Sequence, residues 1–144
     1  MPHFPSLEPP PGFDAVVPLA RPEDIVIARQ IVRDAALGLG LGMVDQTRIA
    51  TVMSELVRNV LTYAGAGECR IQAHAAEHLR QIRLEVEDAG PGIADITAAL
   101  TPGFSTGGGY GLGLPTVKKL VETLTIESRP GRTLVTVLFK RRLG

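Results

Sequence analysis

Residues 68–73 and 79–87 alternate apolar and polar side chains, with Cys69, Ile71 and Ala73 in the first run and Ile82, Leu84 and Val86 in the second. A period of two is the mark of a strand with one buried face. The stretch 75–78 between the runs closes them into a hairpin. Two further runs, 125–128 and 133–139, flank Pro130-Gly131, a common turn pair, and predict a second hairpin. Antiparallel hairpins need an apolar layer against one face, and here that layer comes from helices. The expected architecture is therefore an α+β two-layer sandwich: a mixed, mostly antiparallel sheet with three main helices on one face.

The helices announce themselves by spacing. Pro22 suits a first helical turn, Glu23 and Asp24 complement its positive end, and Ile25, Ala28, Val32, Ala35 and Ala36 keep helical period until Gly38, Gly40 and Gly42. A second helix is expected to open near Asp45, with Ile49, Val52, Met53, Leu56 and Val60 as its apolar stripe and Gly65 and Gly67 as its stop. Asp95 can cap a short helix over 96–100, and a third long helix is expected over 112–124 with Pro115 in its first turn. Residues 13–19 read as an edge strand containing Pro18, and the proline-rich residues 1–12 read as a loose arm outside a single domain, 13–144.

Composition narrows the function. With 15 basic and 15 acidic residues in a chain of 144, the net charge is zero, which argues against a nucleic-acid or membrane-surface partner. The one cysteine, Cys69, cannot form an internal disulfide or a thiolate zinc site, and its place in an alternating run predicts a buried strand residue. His3, His74 and His78 have no partners at metal-ligand spacing and read as surface or turn residues. No apolar run approaches the length of a membrane span, and a cytoplasmic location is expected.

Three polar stretches interrupt this apolar frame. In Glu55-Leu56-Val57-Arg58-Asn59, helical spacing stacks the Glu55 carboxylate and the Asn59 carboxamide on one face, with Arg58 beside them. In Asp88-Ala89-Gly90-Pro91-Gly92, an acid stands where a strand stops and glycines permit a close turn. Residues 107–114 hold five glycines in eight positions, so their N–H groups can turn inward around phosphate before a helix begins. An acid, a polar helix face and a glycine cradle suit a nucleotide with a metal ion.

With Ser54-Glu55-Leu56-Val57-Arg58-Asn59, Tyr63-Ala64-Gly65, Glu87-Asp88-Ala89-Gly90-Pro91-Gly92-Ile93 and Gly111-Leu112-Gly113-Leu114-Pro115 in this order, the chain resembles the GHKL (Bergerat-fold) ATP-binding family over about residues 13–140. Within it, the likeness is to the small anti-sigma-factor-like serine/threonine kinases, the switch kinases of bacterial stress responses. The resemblance implies ATP and magnesium as cofactors. It implies that Asn59 is a magnesium ligand, that Glu55 is the general base with Arg58 holding phosphate or orienting it, and that Asp88 accepts a hydrogen bond from the adenine amino group. Gly90, Gly92 and Ile93 would then approach the base. Gly107, Gly108, Gly109, Gly111, Leu112 and Gly113 would form the lid over the triphosphate, with Leu114 also in the ATP site; Ser105 and Thr106 would either touch phosphate or shape the loop, and Tyr110 receives no role. Thr133 matches the last residue of a Gly-Thr-Thr type signature that helps bind adenine, whereas Arg132 departs from that pattern.

The implied function is a kinase that phosphorylates a STAS-domain antagonist protein and, once released, activates a PP2C-type phosphatase. An anti-sigma factor that sequesters a sigma factor is the alternative. A histidine-kinase catalytic domain fits less well, because no helical pair carrying a phosphoacceptor histidine precedes the motifs. Oligomeric state is left open.

Overall fold

The computed structural model describes residues 9–101 and 113–143. The expected arm falls largely, and Ser105, Thr106, Gly107, Gly108, Gly109, Tyr110, Gly111 and Leu112 wholly, outside the described residues. Nine elements follow one another: β1 (Ala15–Leu19), α1 (Glu23–Gly38), α2 (Met43–Tyr63), β2 (Gly67–Ala76), β3 (Leu79–Asp88), α3 (Ile96–Ala99), α4 (Leu114–Leu120), β4 (Thr123–Arg129) and β5 (Arg132–Arg142). The strands form one sheet in the order β1-β2-β3-β5-β4. The connection leaving β3 re-enters the sheet at the far edge as β4, and the turn at Pro130-Gly131 returns β5 alongside β3. The sheet was expected to be mixed and mostly antiparallel; every pairing among the described strands is antiparallel.

The alternating residues of the sequence form the inner face. Cys69, Ile71, Ile82, Leu84, Val86, Val135, Val137 and Phe139 are buried together with Ala28, Val32 and Ala36 of α1 and Ile49, Val52, Met53, Leu56 and Val60 of α2. Each fully buried Leu or Ile contributes roughly 1.5–3 kcal/mol relative to exposure, which makes this one core the main source of stability. Burial also pushes the Cys69 thiol up to about 12, so it remains protonated as a packed strand residue. No helix among the described residues is long and apolar enough to cross a membrane.

Two helix boundaries differ from expectation for identifiable reasons. α2 starts at Met43, not Asp45, because Gly42 supplies the extended capping position (ψ 177°). Asp45 is thereby freed for a tertiary contact, since it is buried and accepts from Arg141 Nε of β5 at 2.9 Å. At the other end of the chain, α4 stops at Leu120 instead of continuing to residue 124. Val121 is already extended (φ −119°, ψ 159°), and Glu122 N–H donates to Leu138 O at 2.8 Å, so the open edge of β5 draws this stretch into β4. The remaining elements begin and end within a few residues of their predicted positions. Asp95 caps α3 as expected, accepting from Ala98 N–H at 3.0 Å.

Candidate nucleotide site

Close backbone approaches set two of the motifs against α2. Gly90 lies so near its C-terminal end that a Cβ at this position would come within 2.7 Å of Ala64 Cβ. Gly113, with φ +86°, caps α4 and rests on the middle of α2, where a Cβ would collide with the Glu55 carboxylate. Only glycine fulfils both conditions at residue 113. Leu114 follows it into the core at 1% exposure and fixes the described end of the glycine segment over Glu55. The turn after Asp88 and the residue entering α4 therefore both pack on α2, the first at its C-terminal end and the second at Glu55.

On α2, Glu55 is half-buried and accepts from Arg58 Nη1 at 2.9 Å, one helical turn along. Asn59 is 5% exposed, and its Nδ2 has no hydrogen-bond partner among the described residues. A buried amide without a partner costs about 1–3 kcal/mol. Amide nitrogen and oxygen exchange places on rotation, which makes Asn59 equally able to present an oxygen donor.

At the strand end the polar groups are already satisfied. Asp88 is buried and its Oδ1 accepts from Gly90 N–H at 2.9 Å, closing the turn. Thr133 is fully buried and faces Asp88 across the β3–β5 ladder. Its hydroxyl shares a 2.7 Å hydrogen bond with Ser128 Oγ, which in turn accepts from Ile93 N–H at 2.7 Å. Gly92 has φ +87° and lies against the Arg129 carbonyl, 2.7 Å from where a Cβ would stand, and Gly131 N–H donates to Gly90 O at 2.8 Å. Asp88, Gly90, Gly92, Ile93 and Thr133 thus belong to one network.

Sequence reasoning missed Ser128. It occupies an inward position of β4, following Leu124 and Ile126 on the same face, and a polar residue in that register was the available signal. The contact between Gly113 and Glu55 carried no comparable sign.

The model of the family described as "Histidine kinase-, DNA gyrase B-, and HSP90-like ATPase" matches residues 44–143, and the chain belongs to this nucleotide-binding family. Among curated proteins, it is 47% identical over 108 residues to serine/threonine-protein kinase RsbT of Bacillus subtilis, spanning 75% of this chain and 81% of that one. It is 31% identical to the anti-sigma F factor of Caldanaerobacter subterraneus, over 81% and 85% of the two chains. Solved structures share the fold at lower identity. The catalytic domain of histidine kinase ThkA superposes with a TM-score of 0.54 at 19% identity, covering 87% of this chain and 97% of that one. A chain of the SiaB–SiaC complex from Pseudomonas aeruginosa gives 0.59 at 11%, covering 90% and 91%.

Proposed function

We propose that this chain is an ATP- and magnesium-dependent serine/threonine protein kinase that phosphorylates a STAS-domain antagonist protein in a partner-switching pathway controlling a sigma factor. After release from that antagonist it would activate a PP2C-type phosphatase. The observation that carries the reading is Glu55: a half-buried carboxylate one turn before Asn59, beneath the residue that ends the glycine segment. Binding a nucleotide needs no carboxylate there, whereas transfer to a hydroxyl does.

In the proposed reaction the substrate serine or threonine hydroxyl gives its proton to a Glu55 carboxylate oxygen. The hydroxyl oxygen bonds to the γ-phosphorus as the bond to the β–γ bridging oxygen breaks, and ADP leaves. Arg58 holds Glu55 in place through the 2.9 Å ion pair and would share the phosphate charge. Asp88, with Gly90, Gly92, Ile93 and Thr133, would receive adenine, the aspartate accepting from its exocyclic amine. Gly113 and Leu114 would anchor the lid formed with Ser105, Thr106, Gly107, Gly108, Gly109, Gly111 and Leu112.

The donor set fits magnesium in one respect, the buried Asn59 amide with an unpartnered atom. Among the described residues no group of three or more His, Cys, Asp or Glu could hold a metal alone, so Asn59 would share the ion with phosphate oxygens and water. Bound there, magnesium would neutralise phosphate charge.

The identity to RsbT supports the kinase reading, and the lower identity to an anti-sigma F factor supports the second, sequestration of a sigma factor. Incubation with γ-labelled ATP and candidate STAS proteins, followed by phosphoamino-acid analysis, distinguishes them. Label on serine or threonine together with no sigma-factor binding is expected. Stoichiometric inhibition of transcription with a bound sigma factor would replace the first reading by the second.

A further inference from the structure

The outer face of the sheet, away from the helices, carries a chain of charged bonds at the strand end. Arg132 Nε donates to Glu87 Oε2 at 2.8 Å, and Glu87 Oε1 accepts from Arg70 Nη2 at 2.9 Å. Arg70 is itself well covered, at 13% side-chain exposure, and is gripped by Glu68 at 2.6 Å and Glu85 at 3.3 Å. Its own burial works against its charge, but the bonds from these glutamates more than offset that and raise its pKa further. The three residues line one side of an open cleft of about 530 Å³ with Gly67 and Gly131.

The register makes this arrangement more than a surface ornament. Glu87 immediately precedes Asp88, Arg132 immediately precedes Thr133, and Asp88 and Thr133 are direct partners in the β3–β5 ladder. Successive strand residues point to opposite faces, so the outer bridge fastens the same two strand ends whose inner side chains form the proposed adenine contacts. An isolated exposed bridge contributes little to stability. Here Glu87 is shared between two arginines, one of them anchored by two further carboxylates, which fixes geometry.

We propose that Arg132, tied through Glu87 to Arg70, is a positioning residue for adenine recognition: the bridge on the outer face sets the separation of Asp88 and Thr133 on the inner one. Arg132 is the position at which this chain departs from the Gly-Thr-Thr type signature that it otherwise resembles. The proposal rests on reading Asp88 and Thr133 as adenine contacts.

The test is calorimetric titration of ATP and GTP into wild type, Arg132→Thr, Arg132→Lys and Asp88→Asn, with thermal unfolding alongside. Arg132→Thr is expected to weaken ATP about tenfold, equivalent to about 1.4 kcal/mol. GTP affinity and unfolding temperature should hold, and Arg132→Lys should recover part of the loss. Unchanged ATP affinity in Arg132→Thr, or an equal loss for both nucleotides with a lower unfolding temperature, would overturn the positioning role. If Asp88→Asn also binds ATP normally, the adenine reading falls with it; if that variant alone is weakened, only the positioning role does.

Discussion

The strand end and the helix face of the site are built on different terms. Around Asp88, Gly90, Ile93, Ser128 and Thr133 the polar groups already bond one another, and the turn is locked by Gly131 N–H to Gly90 O. Along α2, among the described residues, the Asn59 amide is buried with one atom unpartnered and Glu55 accepts from Arg58. The first region is joined by its own hydrogen bonds, and in the proposed reading it receives the purine. The second leaves the Asn59 amide open, and in the proposed reading magnesium and phosphate would complete it.

The contrast is sharpest at Asn59. Asn59→Ala removes the incomplete group without disturbing the finished network, so transfer of labelled phosphate should fall below detection while circular dichroism and thermal unfolding remain close to wild type. Magnesium should also cease to strengthen ATP binding in this variant. Retained magnesium-dependent transfer would place the metal elsewhere.

A smaller effect is expected at the finished end. Ser128→Ala strips Ile93 N–H and the Thr133 hydroxyl of their shared partner, which should cost about 1–3 kcal/mol of stability, read as a lower midpoint in chemical denaturation. ATP affinity should decline only severalfold. Unaltered stability would mean that the strand end is less tightly built than the hydrogen bonds imply.

The smallest effect concerns acidity. Burial alone would raise the Glu87 carboxyl, but hydrogen bonds from Arg132 and then Arg70 outweigh it and hold its pKa below the usual value of 4.5. A group depressed in the folded state contributes stability above its unfolded pKa and loses it as pH falls through the folded one. Wild type should therefore show a stability decrement below about pH 4.5 that is reduced in Glu87→Gln, measured by denaturation across roughly pH 3–6. Parallel profiles for the two proteins would remove Glu87 from the acid response.

Much of this frame was legible in the chain. The stripe of α2 and the alternation of β2 and β3 are periodic signals, and periodicity survives translation into three dimensions because it records which side faces the core. What was not legible depends on partners distant in sequence. Residues 121–124 look helical locally and become strand or strand approach because β5 offers an open edge. Asp45 looks like a cap and instead meets Arg141, 96 positions away. The site shows the same division: Glu55 and Asn59 share a face by helical arithmetic alone, whereas Ser128 beneath Thr133 and Gly113 upon Glu55 arise from packing.

Everything proposed for catalysis turns on Glu55 serving transfer and not binding. The decisive comparison is single-turnover transfer to a STAS protein, measured beside ATP affinity, for wild type and Glu55→Gln. ATP affinity should be unchanged and transfer slowed about 10²–10⁴-fold, the usual contribution of a general base. Transfer at the wild-type rate, or a loss explained wholly by weaker ATP binding, would contradict that role.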